Sequence, residues 1–118
     1  MPERRRHHVY PLFLPLYFHM TIEEVRAEIT QIDEEIILLI AQRQKIAQKV
    51  AAVKHAEGIP VHDNQRKIDV LEYVMKCAKA HKIDPVPVRS IFEILISMNE
   101  KEQRATMGKG VPPKRLIR

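Results

Sequence analysis

The stretch TIEEVRAEITQIDEEIILLIAQRQKIAQKVAAVKHA, residues 21–56, decides the fold. Thr21 followed three residues later by Glu24 has the form of a capping box, which marks a helix start. Apolar residues then recur at Ile22, Val25, Ile29, Ile32, Ile36 and Leu39, and again at Ile46, Val50 and Val53. Their spacing alternates between three and four, with Arg43 filling the gap, so the run is a heptad seam on one helix. At 1.5 Å per residue such a helix is about 50 Å long. A compact monomer of this size has a radius of gyration near ~13 Å. The helix outruns its own domain, so a partner chain is expected to cover the remaining seam in an intertwined homodimer.

Downstream, Gly58-Ile59-Pro60 ends the helix and makes a loop. Asp63 is a candidate N-cap for a second helix over about Asn64 to Lys82, with Ile68, Leu71, Val74, Met75 and Ala78 on one face. Asp84-Pro85 is a cap followed by an N1 proline, and it opens a third helix to about Arg104. Val88, Ile91, Phe92, Leu95 and Ile96 are its expected inward residues. No stretch alternates with period two for long, and no internal repeat is visible. The expected fold class is all-α, a three-helix subunit with a long first helix. The expected domain is residues 21–104. Residues 1–20 read as an N-terminal extension of no defined fold, or a mis-called start, because Pro11 and Pro15 interrupt its apolar stretch and no small-residue cleavage site follows. Residues 105–118 read as a basic disordered tail.

Composition excludes several function classes. The chain has 118 residues, enough for one domain. Its only cysteine, Cys77, allows neither an internal disulfide nor a Cys-rich zinc module, and points to a reducing, cytoplasmic setting. The six histidines are scattered at 7, 8, 19, 55, 62 and 81 and form no metal-ligand pattern, so no metal is expected. Three glycines give no Gly-rich phosphate loop. No run of about 20 apolar residues exists, so no membrane span is expected. The net charge of +5 belongs to the flanks, since residues 21–104 hold 13 Lys/Arg against 14 Asp/Glu. A nucleic-acid-binding face therefore loses its support.

The informative residues are polar ones at positions the helical period turns inward. Arg43 occupies the seam, and Lys54, eleven residues on, is only about 20° off its face and ~16 Å along the axis. On the third helix Phe92, Leu95, Ile96, Asn99 and Gln103 form one stripe, so two amides extend it. Singly, each has an ordinary explanation: a snorkelling cation, a register-setting Asn, a solvated Gln. Asp63 alone is a cap, and Arg66 alone is surface charge. Together, two cations and two amides facing inward suggest a wet, anion-binding cavity within a helical bundle. Arg26 lies ~25 Å from Arg43 and about 100° around the helix. One small ligand cannot touch both within one straight helix. If both serve one site, Arg26 comes from the other subunit.

The ordered set Arg26-x-x-Ile29-x-x-Ile32-Asp33, Leu38-Leu39-Ile40-x-x-Arg43-x-x-Ile46-Ala47, Val50-x-x-x-Lys54, Ile59-Pro60-Val61-x-Asp63-x-x-Arg66 and Asn99-x-x-x-Gln103 resembles the all-helical chorismate mutase family. The resemblance covers about residues 21–104. It implies an intertwined dimer with two sites and the cofactor-free Claisen rearrangement of chorismate to prephenate, on the shikimate route to phenylalanine and tyrosine. It also implies roles. Arg26 of the partner and Arg43 would clamp the two carboxylates, as guanidinium groups do. Lys54 and Gln103 would face the ether oxygen, where negative charge grows. Arg66 would lie by a carboxylate or the ether region, Asp63 would hold the ring hydroxyl, and Asn99 would contact the ring carboxylate.

One position departs from the family pattern. Lys67 stands where the family usually has Glu, which accepts from the ring hydroxyl and offsets Lys54. Lysine cannot accept a hydrogen bond. Either Lys67 turns outward, or the site binds its dianion strongly and orients the hydroxyl less well. Isochorismate pyruvate lyase shares the fold and resembles the chain at Arg26, Arg43, Lys54 and Gln103; Asp63 favours the mutase. A dianion-binding module without turnover, or a plain helical oligomerisation domain, are the readings from other classes. Gln103 is neutral, so no general base near neutrality is expected.

Overall fold

The computed structural model describes residues 19–108, so the expectations for the N-terminal extension up to residue 18 and for the tail from residue 109 lie outside the described residues. Three helices follow in order, α1 (Ile22–Glu57), α2 (Asn64–Ala80) and α3 (Pro85–Gly108), and the described residues contain no strand. None of these helices is long and apolar enough to cross a membrane. The described part of the chain divides after Ile37 into two compact units.

In the first unit α1 begins as its sequence requires. Glu24 N–H donates to Thr21 Oγ1 at 3.1 Å, and Thr21 N–H donates to Glu24 Oε1 at 2.8 Å. Two N–H groups that a helix start leaves unpaired are thus satisfied reciprocally. The apolar seam of this unit is open. Ile22, Val25, Ile29, Ile32 and Ile36 are 37% to 55% exposed.

In the second unit the buried apolar residues are Ala47 and Ala51 of α1 with Leu71, Val74 and Ala78 of α2. The large seam residues Leu39, Ile46 and Val53 are exposed. The inward face of α1 here shares only Arg43 and Val50 with the seam. It is the stripe Arg43, Ala47, Val50, Ala51, Lys54, whose i+3 and i+4 steps stack one above another. The backbones of α2 and α3 pack closely, while α1 reaches α3 through side chains: Gln48 Nε2 donates to Glu102 Oε2 at 3.0 Å, and Arg43 Nη1 to the Leu95 carbonyl at 3.4 Å. On α3, Phe92, Leu95 and Ile96 are half-buried, but Ile91 is exposed. Ile91 sits roughly 140° around the helix from Ile96, off the edge of the inward stripe.

Two turns set the connections. Gly58 adopts φ 68, with Gly58 N–H on the His55 carbonyl at 3.4 Å and Ile59 N–H on the Lys54 carbonyl at 2.8 Å. This is a Schellman motif, and it needs a left-handed residue after the last helical turn. α2 ends in the same way two residues before the expected end. Lys82 adopts φ 59, Lys82 N–H meets the Lys79 carbonyl, and Ile83 N–H meets the Ala78 carbonyl at 2.8 Å. The left-handed turn at Lys82 closes the helix before Asp84, whose Oδ1 accepts from Val86 N–H at 3.0 Å to open α3. α3 continues to Gly108, four residues beyond the expected end, since Ala105, Thr106 and Met107 bring no breaker.

The two left-handed positions carry opposite expectations. Lys82→Gly should stabilise by up to about 1 kcal/mol, because it removes the Cβ crowding of that conformation. Gly58→Ala should destabilise by about 1 kcal/mol for the same reason, although open space surrounds its Cα. Thermal melts at one protein concentration check both signs. An unchanged Lys82→Gly melt would mean that position is not strained.

Candidate active site

α1 from Arg43 to Lys54, the loop to Asp63, the start of α2 and the second half of α3 line a half-open cavity of about 520 Å³. That volume suits a small-molecule ligand. Ile46, Val50, Val61, Val70 and Ile96 supply its apolar wall, and Arg43, Lys54, Asp63, Arg66, Lys67, Asn99, Glu100 and Gln103 its polar one.

Each polar residue is placed by a local rule. Lys54 sits in the last turn of α1, at the carbonyl that the Gly58 Schellman motif caps. The reversal brings Val61 back over it, and Lys54 Nζ donates to the Val61 carbonyl at 2.7 Å. One of the ammonium's three donors is held by backbone, and two remain. Asp63 is the α2 N-cap, its Oδ1 accepting from Arg66 N–H at 3.0 Å. Capping orders the first turn, and so sets where Arg66 and Lys67 leave the helix. Lys67 is half-buried and lines the cavity; Arg66 lines it and is exposed.

Arg43 is braced against α3. Besides its bond to the Leu95 carbonyl, its guanidinium carbon lies 5.9 Å from the centre of the Phe92 ring. Cation–π attraction at that distance favours the extended side chain. Asn99 Nδ2 donates to the Arg43 carbonyl at 3.3 Å, and Gln103 Nε2 donates to Asn99 Oδ1 at 2.6 Å. Gln103 is only 4% exposed, and its Oε1 has no partner among the described residues. A buried acceptor left unmade costs about 1–3 kcal/mol, so this wall of the cavity is short of a donor.

Seven of the eight residues expected from sequence line this one cavity: Arg43, Lys54, Asp63, Arg66, Lys67, Asn99 and Gln103. The eighth, Arg26, belongs to the first unit, where its carbonyl accepts from Thr30 Oγ1 at 3.0 Å. Glu100 also lines the cavity and was not expected. It sits four residues after Ile96, a step that places it on the inward stripe and that the choice of Asn99 and Gln103 passed over. Its carboxylate meets His62 Nδ1 at 3.2 Å and Arg104 Nη2 at 3.5 Å.

The lining thus holds four basic side chains and two carboxylates. Its formal surplus of two positive charges complements a dianion, and low-dielectric walls strengthen that attraction. No nucleophile–base pair lies among the lining residues. What they offer is a set of fixed donors: guanidinium, ammonium and amide.

Comparison with known proteins bears on this cavity. The family profile of chorismate mutase type II matches residues 25–104. A chorismate mutase of Methanocaldococcus jannaschii is 36% identical over 83 residues, covering 70% of this chain and 84% of that protein. A bifunctional chorismate mutase/prephenate dehydratase of Escherichia coli is 30% identical over 83 residues, covering 70% of this chain and 22% of that protein. One from Aquifex aeolicus is 33% identical over 94 residues, covering 74% of this chain and 26% of that protein. The chain spans most of the first relative and about a quarter or less of the bifunctional ones. With the matched segment running through all three helices and every residue that lines the cavity, this chain belongs to the chorismate mutase type II family.

Proposed function

We propose that the protein is a chorismate mutase that rearranges chorismate to prephenate in this cavity, as part of aromatic amino acid biosynthesis. The observation that carries the reading is the convergence of Arg43, Lys54, Arg66, Lys67, Asn99 and Gln103 on one cavity with a cationic surplus, inside the segment that matches the family. The substrate is a dicarboxylate whose reactive conformer folds its enolpyruvyl arm over the ring. Arg43 and Arg66 hold carboxylates, and Asp63 the ring hydroxyl. Lys54 and Gln103 face the ether oxygen, which gains negative charge as its bond to the ring breaks. Donors already in place there lower the transition state more than the ground state. Holding the folded conformer removes much of the remaining barrier. The rearrangement is intramolecular, so no group on the protein needs to take or give an electron pair.

Two chains intertwine in this reading, with Arg26 of each completing the site of the other. The support is the exposed row Ile22, Val25, Ile29, Ile32, Ile36 and Leu39. A soluble monomer seldom leaves so continuous an apolar face open. A partner lying along it would bring its own Arg26 toward the cavity.

Three measurements follow. Purified protein should convert chorismate to prephenate, and Arg43→Ala should lower kcat/KM by roughly 10²–10³-fold, the usual loss when one charge-stabilising donor is removed. If isochorismate is cleaved to pyruvate and chorismate is untouched, the lyase replaces the mutase. Mixing unfolded Arg26→Ala and Arg43→Ala chains and refolding them should restore about a quarter of wild-type activity, because half the dimers then hold one intact site. No recovery would show that both arginines serve one chain. Lys67→Glu should raise kcat and weaken dianion binding, since it supplies a hydroxyl acceptor and removes two units of positive charge. Unchanged kinetics would place position 67 outside the site.

A further inference from the structure

The amides of Asn99 and Gln103 are not free to choose their orientation. The Arg43 carbonyl can only accept, so the group that Asn99 turns toward it at 3.3 Å is its nitrogen. Asn99 Oδ1 then faces the other way and can only accept. The Gln103 atom 2.6 Å from it is therefore nitrogen; a flipped Gln103 would set two oxygens against each other at that distance. Polarity thus passes from the backbone of α1, through Asn99, to the deepest polar side chain of the cavity. One N–H of Gln103 is spent on Asn99. Its second N–H is left over, and its Oε1 is buried without a partner among the described residues.

We propose that Asn99 is a positioning residue that acts through Gln103: the relay from the Arg43 carbonyl locks the Gln103 amide so that its nitrogen, and not its oxygen, is committed to the donor side of the site. The proposal rests on the reading of the cavity as a chorismate mutase site, and it gives Asn99 a different task from contact with the ring carboxylate. Without the relay the Gln103 amide can turn over, because its Oε1 has no partner to lose. A fraction of molecules would then face the ether oxygen with a carbonyl, which repels the charge that develops there. Both residues stand on α3 one turn apart, and Arg43 stands on α1. The relay therefore also makes the donor set depend on the docking of α3 against α1.

The test is a double-mutant cycle with an observation of the free protein beside it. Asn99→Ser, whose hydroxyl is too short to bridge, should lower kcat about tenfold, a part of the loss expected for a whole donor, with KM changed less than about twofold. In a Gln103→Ala background the same substitution should cost less than about twofold, because the residue through which it acts is gone. Losses that multiply in the double variant would overturn the relay and give Asn99 its own contact with the ligand. Asn99→Ala runs through the same cycle and serves if Asn99→Ser folds poorly, with thermal melts reporting on both. In wild-type protein without ligand, nuclear magnetic resonance should show the two Gln103 side-chain amide protons well separated and slow to exchange. Asn99→Ser should move them to free-glutamine positions and speed their exchange with water. A Gln103 signal indifferent to Asn99→Ser would overturn the relay whatever the activity. A Gln103 signal that changes in Asn99→Ser, with a wild-type protein that leaves chorismate untouched, would keep the relay and overturn the mutase reading.

Discussion

The second half of α1 turns its small residues and its cations to the same side, and the rest of the site depends on that constraint. Ala47 and Ala51 are fully buried between Arg43 on one end and Lys54 on the other. Alanine is small enough to be covered completely there, so both residues belong to the apolar core beside the cavity. The cations at the two ends have room to reach inward instead of snorkelling out. A cavity in a small helical unit is costly because its lining loses dispersion contacts. It persists here because polar side chains bridge α1 and α3 across it: Arg43 to Leu95, Asn99 to Arg43, Gln48 to Glu102.

Preorganisation is the common theme of these bridges. Lys54 is tethered to the Val61 carbonyl, Arg43 to the Leu95 carbonyl and the Phe92 ring, Gln103 to Asn99. Long cations lose considerable side-chain entropy when a ligand fixes them. Here part of that loss is met on folding, by backbone acceptors that leave other donors spare. The His62–Glu100–Arg104 cluster does the same for the one cavity carboxylate not used in capping a helix. A set of donors held before the substrate arrives is what a reaction with developing charge and no covalent intermediate requires.

Much of this was legible in the chain itself. Thr21 and Glu24, Asp63, Gly58 and Asp84-Pro85 act on their immediate neighbours, so each helix start and the first helix end could be read from a few residues. The end of α2 could not. Lys82 takes a left-handed conformation that its residue type disfavours, and nothing local announces it. Likewise the 3.6-residue period assigned Arg43, Lys54, Asn99 and Gln103 to common faces. Period alone does not tell which stripe of α1 is buried within one chain, however, and so did not single out Ala47 and Ala51. The error with Ile91 and the oversight of Glu100 have the same origin, since a stripe has a centre that only its packing partner defines.

The sequence by itself determined three helices, their caps and the inventory of cations and amides on particular stripes, because those follow from interactions within one or two turns. Only the tertiary structure decided which stripe is buried, that Glu100 joins the cavity, and which way the two amides point. Those outcomes depend on atoms 38 to 56 residues apart in the chain, such as Glu100 on His62 and Asn99 on Arg43. No local preference distinguishes the oxygen of a glutamine side chain from its nitrogen; the Arg43 carbonyl on another helix does, through Asn99.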